Sequence, residues 1–247
     1  MPREVGITAG LLLLVLAGCS TQESAGPPDA AHRPGAVAGV AVTPLRAPRM
    51  DARLIEAAGR GDIVAVRRAH ARGASVEARD ERGRTALVAA AYGNHLAVAR
   101  FLIAAGADVN AKDETVQSPY LISTAEVGDD PRLLNLTVAN GARINSKDSF
   151  NGTGLIRAAD RGYPRIVKRL LKEDIDLDHV NRLGWTALHE AIILGDGSPR
   201  YVKVVELLVE AGADVSLPSR DDGVSPLEHA QARGYEEMVE ILRAAGE

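Results

Sequence analysis

The sequence predicts an all-α solenoid, in which about six helix-turn-helix repeats stack along residues 51–247. Three observations support this fold class. A short motif with a hydroxyl residue recurs about every 33 residues, and a second, glycine-containing motif follows it in most copies. Hydrophobic residues make up 46% of the chain but aromatic residues only 3%, so alanine, leucine and valine must fill most of the core. Small aliphatic side chains suit the close approach of helices.

The first motif marks the start of each repeat and gives the period. Its hydroxyl residues follow one another at spacings of 33, 35, 33 and 39 residues, at Thr85, Ser118, Thr153, Thr186 and Ser225. Two clear copies are Gly83-Arg84-Thr85-Ala86-Leu87 and Gly184-Trp185-Thr186-Ala187-Leu188. A first repeat without the hydroxyl begins near Ala52. Each hydroxyl can accept hydrogen bonds from the first turn of the helix that follows it.

The second motif closes each repeat, and one clear copy is Ala105-Gly106-Ala107-Asp108-Val109-Asn110. Between the two motifs, the spacing of apolar residues predicts two short helices. Glycine or asparagine turns the chain between these helices, because both residues tolerate a positive φ. The predicted turn positions are Gly61, Asn94, Gly162, Gly195 and Gly234.

Together these motifs resemble the ankyrin repeat family, whose marks are T-P-L-H near the first helix and G-A-D-V-N after the second. The resemblance covers about 197 of the 247 residues and implies β-turn fingers that project from paired helices. Three places depart from the pattern. Two extra residues occur near 126–131, and six occur within 196–201 and 220–222 together. Asp174 stands where the family has a helix-ending glycine.

In this family partners lie along the fingers and the inner helices, which implies a set of candidate contact residues here. The set is Arg82, Arg84, Tyr92, Phe150, Arg182, Leu183, Trp185, Ile193 and Leu194, with Asp160 and Arg161 beside them. Trp185, the only tryptophan, is predicted to face solvent at a finger tip, as an interface hot spot would. The alternative is that Trp185 only packs onto the next finger. The extra residues after Gly195 either extend this surface or form a tolerated loop.

The composition and motifs also bear on other classes of function. A formal net charge of −4 argues against nucleic-acid binding, which needs a dense basic surface. Cys19 is the only cysteine, so the chain has no internal disulfide and no cysteine-based zinc site. Neither a nucleotide-binding loop nor a hydrolase elbow is present. The sequence therefore predicts a protein that is not an enzyme, with no cofactor and no small-molecule substrate.

Two of the six histidines occupy positions that the family resemblance explains. His189 takes the histidine position of T-P-L-H, and His95 lies at a hairpin turn. The resemblance implies that both rings tie neighbouring turns together by hydrogen bonds. His70, His179 and His229 show no short metal-binding spacing to another histidine or cysteine, so no metal site is predicted.

Residues 1–18 are predicted to be a lipoprotein signal peptide. Residues 7–17 are apolar apart from Thr8, but they are too few to span a bilayer, which takes about 20. The stretch ends in Leu16-Ala17-Gly18-Cys19, which resembles the bacterial lipobox. That resemblance implies cleavage before Cys19 and lipid on its sulfur. The alternative is a conventional signal peptide with an incidental cysteine nearby.

Residues 19–50 are rich in alanine, proline, glycine and arginine, and they predict a disordered tether between the lipid and the repeats. The repeats would then lie outside the cytoplasm. They would be held at the outer membrane facing the periplasm in a cell with two membranes, and otherwise on the outer face of the plasma membrane. The predicted partners are therefore another protein and, through Cys19, the membrane.

The predicted function is protein–protein binding in the bacterial cell envelope. The alternative is a regulator, inhibitor or chaperone of one envelope enzyme, with stress or peroxide defence as a setting known among exported ankyrin proteins. An unrecognised enzyme is the third hypothesis. Fold alone does not decide between them.

Overall fold

The computed structural model describes residues 46–246, which form twelve helices. The helices are α1 (Arg46–Gly59), α2 (Ile63–Ala71), α3 (Ala86–Tyr92), α4 (Leu96–Ala104), α5 (Pro119–Ala125), α6 (Pro131–Val138), α7 (Gly154–Asp160), α8 (Pro164–Leu170), α9 (Ala187–Ile193), α10 (Pro199–Glu210), α11 (Pro226–Arg233) and α12 (Glu236–Gly246). None of them is long and apolar enough to cross a membrane. The predicted signal peptide, Cys19 and most of the predicted tether lie outside the described residues.

Consecutive helices pack as six hairpins, from α1 with α2 to α11 with α12. The odd-numbered helices then stack on one another in one row, and the even-numbered helices stack in a second row. Each repeat therefore packs mainly on its neighbours, as in other solenoids. No strand occurs within residues 46–246, where an isolated antiparallel bridge joins Lys147 to Thr153. The predicted all-α solenoid of six helix-turn-helix repeats is confirmed.

The hydroxyl residues of the first motif cap the inner helices as predicted; these are the odd-numbered helices α3, α5, α7, α9 and α11. Each hydroxyl residue has extended backbone angles, and its side-chain oxygen accepts a hydrogen bond from an amide three residues later. The bond from the Val88 amide to Thr85 Oγ1, for example, is 3.3 Å long. Such caps satisfy amides that the helix itself leaves without acceptors. The five capped helices begin at Ala86, Pro119, Gly154, Ala187 and Pro226.

The first helix begins at Arg46, inside the segment that was predicted to be tether up to residue 50. Pro48 does not prevent this, because the first turn of a helix has no internal acceptors for its amides to reach. Asp51 then joins α1 to the end of the first repeat, since its Oδ1 accepts from the Ser75 amide at 2.7 Å. The prolines of the sequence therefore mark the tether less sharply than predicted.

One turn differs from the sequence prediction, and a second departs from the family pattern at the position that the sequence indicated. Gly195 does not take a positive φ, and Gly197 takes it instead at 72°. A Cβ at Gly195 would lie 2.1 Å from the Ala191 carbonyl oxygen, so close packing is what requires glycine there. In the fourth repeat, Asp174 does not adopt a positive φ either. Instead of a glycine turn, a hydrogen bond from the Ile175 amide to the Glu173 carbonyl follows the second helix of that repeat.

The core consists of two hydrophobic clusters that meet in the third repeat. One includes Leu54, Val98 and Ile122 from the first three repeats, and the other includes Tyr120 and Leu208 from the third to the sixth. All of α3 before Tyr92 is buried, and four of those six residues are alanine. Alanine therefore allows the close helix contact that the composition predicted.

Tyr120 also explains an irregular copy of the first motif. Its side chain is fully buried, and its hydroxyl donates to the Ile144 carbonyl at 2.7 Å. Gly154 lies directly beside this hydroxyl, and a Cβ there would come within 2.5 Å of Tyr120 Oη. Glycine at this position is therefore a packing requirement, where other repeats have alanine or proline.

Candidate functional site

Four of the fingers are built around an acidic or amide side chain at the base. In the fourth repeat, Asp148 Oδ1 accepts from the Phe150 and Gly152 amides, both at 2.8 Å. In the fifth repeat Asn181 takes the same place, and its Oδ1 accepts from the Leu183 and Trp185 amides at 2.9 and 3.1 Å. These side chains mimic a backbone turn and fix the direction of each finger tip.

Neighbouring fingers are also joined by backbone hydrogen bonds. The Arg182 amide donates to the Phe150 carbonyl at 3.0 Å, and the Arg220 amide donates to the Gly184 carbonyl at 3.0 Å. The same link joins the Glu114 amide to the Arg82 carbonyl at 3.1 Å. The finger side chains are thereby held in a fixed order along one side of the solenoid.

Three exposed apolar side chains gather between the fourth and fifth repeats. Phe150 is 63% exposed, Leu183 is 45% exposed and Leu194 is 48% exposed. All three line one cavity of about 310 Å³, which we term the Glu190 groove. Its other lining residues are Ala125, Asp148, Gly152, Ile156, Arg157, Asp160, Arg161, Asn181 and Glu190. The volume is at the lower end of the range of about 300–1,000 Å³ for ligand pockets.

The groove also has a charged lining held by α7. Arg157 donates to Asp148 Oδ2 and to Glu126 Oε1, each at 2.8 Å, and its side chain is only 13% exposed. Asp160 and Arg161 follow on the same stretch, with a looser separation of 3.7 Å between carboxylate and guanidinium. Both terminal nitrogens of Arg157 therefore donate to carboxylates. The carboxylate oxygens of Asp160, in contrast, accept no hydrogen bond at normal distance within the described residues.

Glu190 on α9 is a buried carboxyl group in this lining. It is 4% exposed, and its Oε1 accepts from Asn181 Nδ2 at 2.6 Å. Burial raises the pKa of Glu190 from 4.5 to about 7, with Asp160 and Asp148 adding to the effect and the Asn181 bond opposing it. The group therefore changes its charge close to neutral pH.

Glu190, Arg157 and Asn181 were not among the predicted contact residues, although a signal existed. Arg157 and Glu190 each lie four residues after the capping hydroxyl, where the second and third repeats have Ala89 and Ile122. A charged residue at a position that other repeats fill with an apolar side chain indicates a special environment. Comparing the repeats position by position would have found both.

The predicted residues of the second repeat form a separate group. Arg82, Arg84 and Tyr92 line a cavity of about 270 Å³ that shares no lining residue with the Glu190 groove. Arg84 is half-buried and pairs with Asp80 at 2.7 Å, while the Tyr92 hydroxyl donates to Asp113 at 2.9 Å. The polar side chains of this group therefore bond largely to residues of the fingers themselves.

Trp185 is less exposed than predicted. Its side chain is half-buried, and it does not line the Glu190 groove. Leu183 occupies the exposed tip of that finger instead, because Asn181 turns the chain so that Leu183 projects. Arg182 is exposed outside the groove lining, and Ile193 is half-buried beside the exposed Leu194. The predicted contact residues of the fifth repeat are therefore divided by the fold.

The extra residues of the fifth repeat pack against their neighbours. Tyr201 is 6% exposed, and its hydroxyl donates to the Asp160 carbonyl at 2.9 Å. The Tyr235 hydroxyl donates to the Gly195 carbonyl from the other side at 2.9 Å. The insertion therefore joins the fourth, fifth and sixth repeats. The two predicted roles were an extension of the binding surface and a tolerated loop, and neither describes this packing.

The histidines make structural contacts. His95 Nε2 lies 3.1 Å from the Gly59 carbonyl of the preceding repeat, which confirms the predicted link between turns. His189 Nδ1 lies 2.9 Å from Thr186 Oγ1 in its own repeat, and its ring meets that of His229 edge-on at 5.9 Å. Burial lowers the pKa of His189 to about 4, and His229 contributes. No cluster of three or more metal-ligating side chains occurs within residues 46–246.

The stacked hairpins, the capped inner helices and the linked fingers define an ankyrin repeat protein, and the chain belongs to this family. Two family profiles match it: "Ankyrin repeats (3 copies)" over residues 121–219 and "Ankyrin repeats (many copies)" over residues 69–122. The ankyrin repeat protein YahD of Escherichia coli (strain K12) is 38% identical over 191 residues, which cover 77% of this chain and 94% of YahD.

Two solved structures share the fold at comparable similarity. An ankyrin repeat domain from Acinetobacter baumannii AYE has a TM-score of 0.73 and 43% identity, covering 78% of this chain and 97% of that one. The ankyrin repeat protein EF0377 has a TM-score of 0.72 and 32% identity, with the same two coverages. The ankyrin fold typically serves as an interaction scaffold without enzymatic activity.

A match to an enzyme covers only part of that enzyme. Glycerophosphocholine phosphodiesterase GDE1 of Candida albicans is 29% identical over 133 residues, and the aligned part is 11% of its length. The activity in that name therefore belongs to a much longer protein.

Proposed function

We propose that this protein is a lipid-anchored, extracytoplasmic ankyrin repeat module that binds another protein in the bacterial cell envelope, with the Glu190 groove as its docking surface. The observation that carries the docking surface is the gathering of Phe150, Leu183 and Leu194 around one cavity. Exposed apolar groups scattered singly are ordinary, but a cluster rimmed by polar residues is typical of an interaction site.

The electrostatics of the groove fit this function. The groove combines an apolar rim with Arg157, Asp160 and Glu190, and protein interfaces commonly pair an apolar centre with a few fixed polar groups. The finger-to-finger hydrogen bonds hold the rim in place before any partner arrives, so little side-chain and loop order has to be gained on binding.

The envelope location is supported by the sequence alone. The apolar residues 7–17 and the following Leu16-Ala17-Gly18-Cys19 motif support export and lipid modification. The predicted tether then leaves the groove free to meet a partner near the membrane. Whether the partner is only held in position or is also regulated depends on what that partner is.

The docking surface is tested by placing a photo-crosslinking amino acid at Leu183 in the full chain within intact cells. We expect a discrete adduct with one envelope protein, which mass spectrometry identifies. Val64 on α2 is a matched control, because it is 61% exposed and lies outside the groove. Adding Phe150→Ala should weaken the adduct, since aromatic truncation at an interface centre costs roughly 2 kcal/mol.

The control position decides the interpretation of this experiment. Equal adducts from Leu183 and Val64 would contradict a specific docking surface at the groove. If the identified partner is an enzyme, assays of its activity with and without this protein separate regulation from passive positioning.

A further inference from the structure

Glu190, which lines the Glu190 groove, has one carboxyl oxygen with no partner among the described residues. Glu190 is only 4% exposed, and its Oε1 accepts a hydrogen bond from Asn181. Its Oε2 is buried and makes no hydrogen bond within the described part of the chain. A buried carboxyl oxygen without a donor is costly, so a donor brought in by a ligand would be stabilised there.

The charges around Glu190 favour a cationic donor. Asp148 and Asp160 line the same groove, and both disfavour the ionised form of Glu190. Of the two arginines that line the groove, Arg157 is already shared between Asp148 and Glu126. An arriving positive charge would therefore be attracted by Asp160, which keeps free acceptors, and it would also restore the ionised form of Glu190.

The geometry selects between the two basic side chains. An arginine fork binds best to a carboxylate with both oxygens free. A fork could pair with both oxygens of Asp160, but only by leaving Glu190, because Glu190 offers Oε2 alone and Asp148 Oδ2 is taken by Arg157. A lysine ammonium is a compact charge that can use single acceptors, such as Glu190 Oε2 and the carboxylate of Asp160.

The apolar rim suits the remainder of a lysine side chain. Phe150, Leu183 and Leu194 surround the opening, and a lysine buries its aliphatic stem along such surfaces while its charged end reaches polar groups. We propose that the Glu190 groove binds a lysine side chain of the partner protein, with the ammonium on Glu190 and the stem against Phe150 and Leu183. This inference rests on the proposed function, because it names the group that the partner inserts.

Lysine binding is coupled to the loss of a proton from Glu190. Where Glu190 starts protonated, the lysine enters as an ammonium ion, the carboxyl group gives its proton to solvent, and an ion pair remains. Binding should therefore release up to one proton per lysine and tighten as the pH rises through the titration of Glu190. The other titratable groups that line the groove are Asp148, Asp160, Arg157 and Arg161.

The test uses the full chain in detergent micelles and small probes that carry one side chain each. The lysine probe is Nα-acetyl-lysine methylamide, and the neutral control is the same compound acetylated on Nζ. Carbon-13 NMR follows the Glu190 carboxyl signal, which is assigned by its loss in Glu190→Gln. We expect saturable binding of the lysine probe, on the order of 1 mM. We also expect the probe to lower the apparent pKa of Glu190, whereas the neutral compound leaves it unchanged.

Variants make the test specific to this carboxyl group. Glu190→Gln keeps an acceptor for Asn181 but removes the charge, and it should weaken the lysine probe at least about tenfold. Glu206→Gln is the matched control, because Glu206 pairs with Lys203 on the surface of α10 and is outside the groove. It should leave binding unchanged.

Several results would overturn the proposal. These are no saturable change at Glu190, equal binding of the neutral compound, tighter binding of the corresponding arginine probe, or unchanged binding to Glu190→Gln. Crosslinking at Leu183 reports separately on the proposed function. A captured partner with no lysine-probe binding would reject the lysine site alone, and the reverse result would reject the docking function alone.

Discussion

At the scale of single residues, His189 and Glu190 are neighbours on α9 with pKa values displaced in opposite directions. Burial favours the neutral form of both, so the pKa of His189 falls to about 4 and that of Glu190 rises to about 7. The two groups therefore affect the free energy of unfolding in opposite ways as the pH changes. His189 contributes stability above its usual pKa, and this stability is lost as the pH falls through about 4.

We expect Glu190→Gln to stabilise the protein in a pH-dependent manner. The contribution of protonated Glu190 is fully present below about pH 4.5 and is lost as the pH rises through about 7. Glutamine has no proton to lose, so the gain of the variant over the wild type should grow from near zero at low pH to roughly 1–3 kcal/mol near pH 8. Urea unfolding followed by circular dichroism across this range measures the difference.

The Glu206→Gln variant provides the baseline for that series. It removes a carboxylate from the surface of α10, where Glu206 pairs with Lys203. The Glu190→Gln difference should change more with pH than the Glu206→Gln difference. A Glu190→Gln difference that changes no more with pH than this baseline would show that Glu190 does not hold a proton in the folded state near neutrality.

At the scale of elements, the fingers repeat one backbone conformation with different residues. Gly83, Gly184 and Gly223 each take a positive φ at the equivalent position, whereas the third finger has Val116 there with a φ of 65°. A β-branched residue in this region is a genuine outlier, because its Cβ crowds the backbone. Val116 is held there by the surrounding finger, in which Asp113 Oδ1 accepts from the Thr115 and Gln117 amides.

Val116→Gly should therefore stabilise the protein by about 1 kcal/mol, since relief of the strained φ exceeds the entropic cost of glycine. Thermal unfolding measures the change. Val224→Gly in the last finger is the matched control, because Val224 is not among the residues with a positive φ. That variant should lose stability, and a loss of similar size at Val116 would contradict the strain.

At the scale of the whole molecule, the stacked repeats support one surface. Two core clusters meet in the third repeat, and the Glu190 groove lies beyond this junction, between the fourth and fifth repeats. The insertion that buries Tyr201 joins three repeats around the groove. A partner would therefore meet a surface that is already ordered, while the proposed tether supplies the reach.

The proposed anchor makes a prediction for the intact protein. Cells given a radioactive or clickable fatty acid should label the wild-type chain, because the proposed lipid on Cys19 would carry the fatty acid. Cys19→Ala should remain unlabelled and should keep the larger mass of the uncleaved precursor. Equal labelling of both proteins, or cleavage of the variant to the mature size, would contradict lipid attachment at Cys19.

Much of the fold was predictable because its signals are local. Thr85 and Ser118 cap the helices that follow them, and this depends only on residues a few positions apart. The site was predicted in part: Phe150, Leu183 and Leu194 came from finger and inner-helix positions and do share one groove. Trp185 is more buried than predicted, because its residue type favours an interface while its exposure depends on how the finger packs.

The sequence by itself determined that this chain is a stack of six capped hairpins, since a cap, a turn and a helical period each arise from neighbouring residues. Only the tertiary structure decided which side chains face the same cavity. Arg157 and Glu190 are 33 residues apart in sequence, and the stacking of α7 on α9 places both in one groove wall. The Glu190 oxygen without a partner exists because Asn181 reaches only the other one.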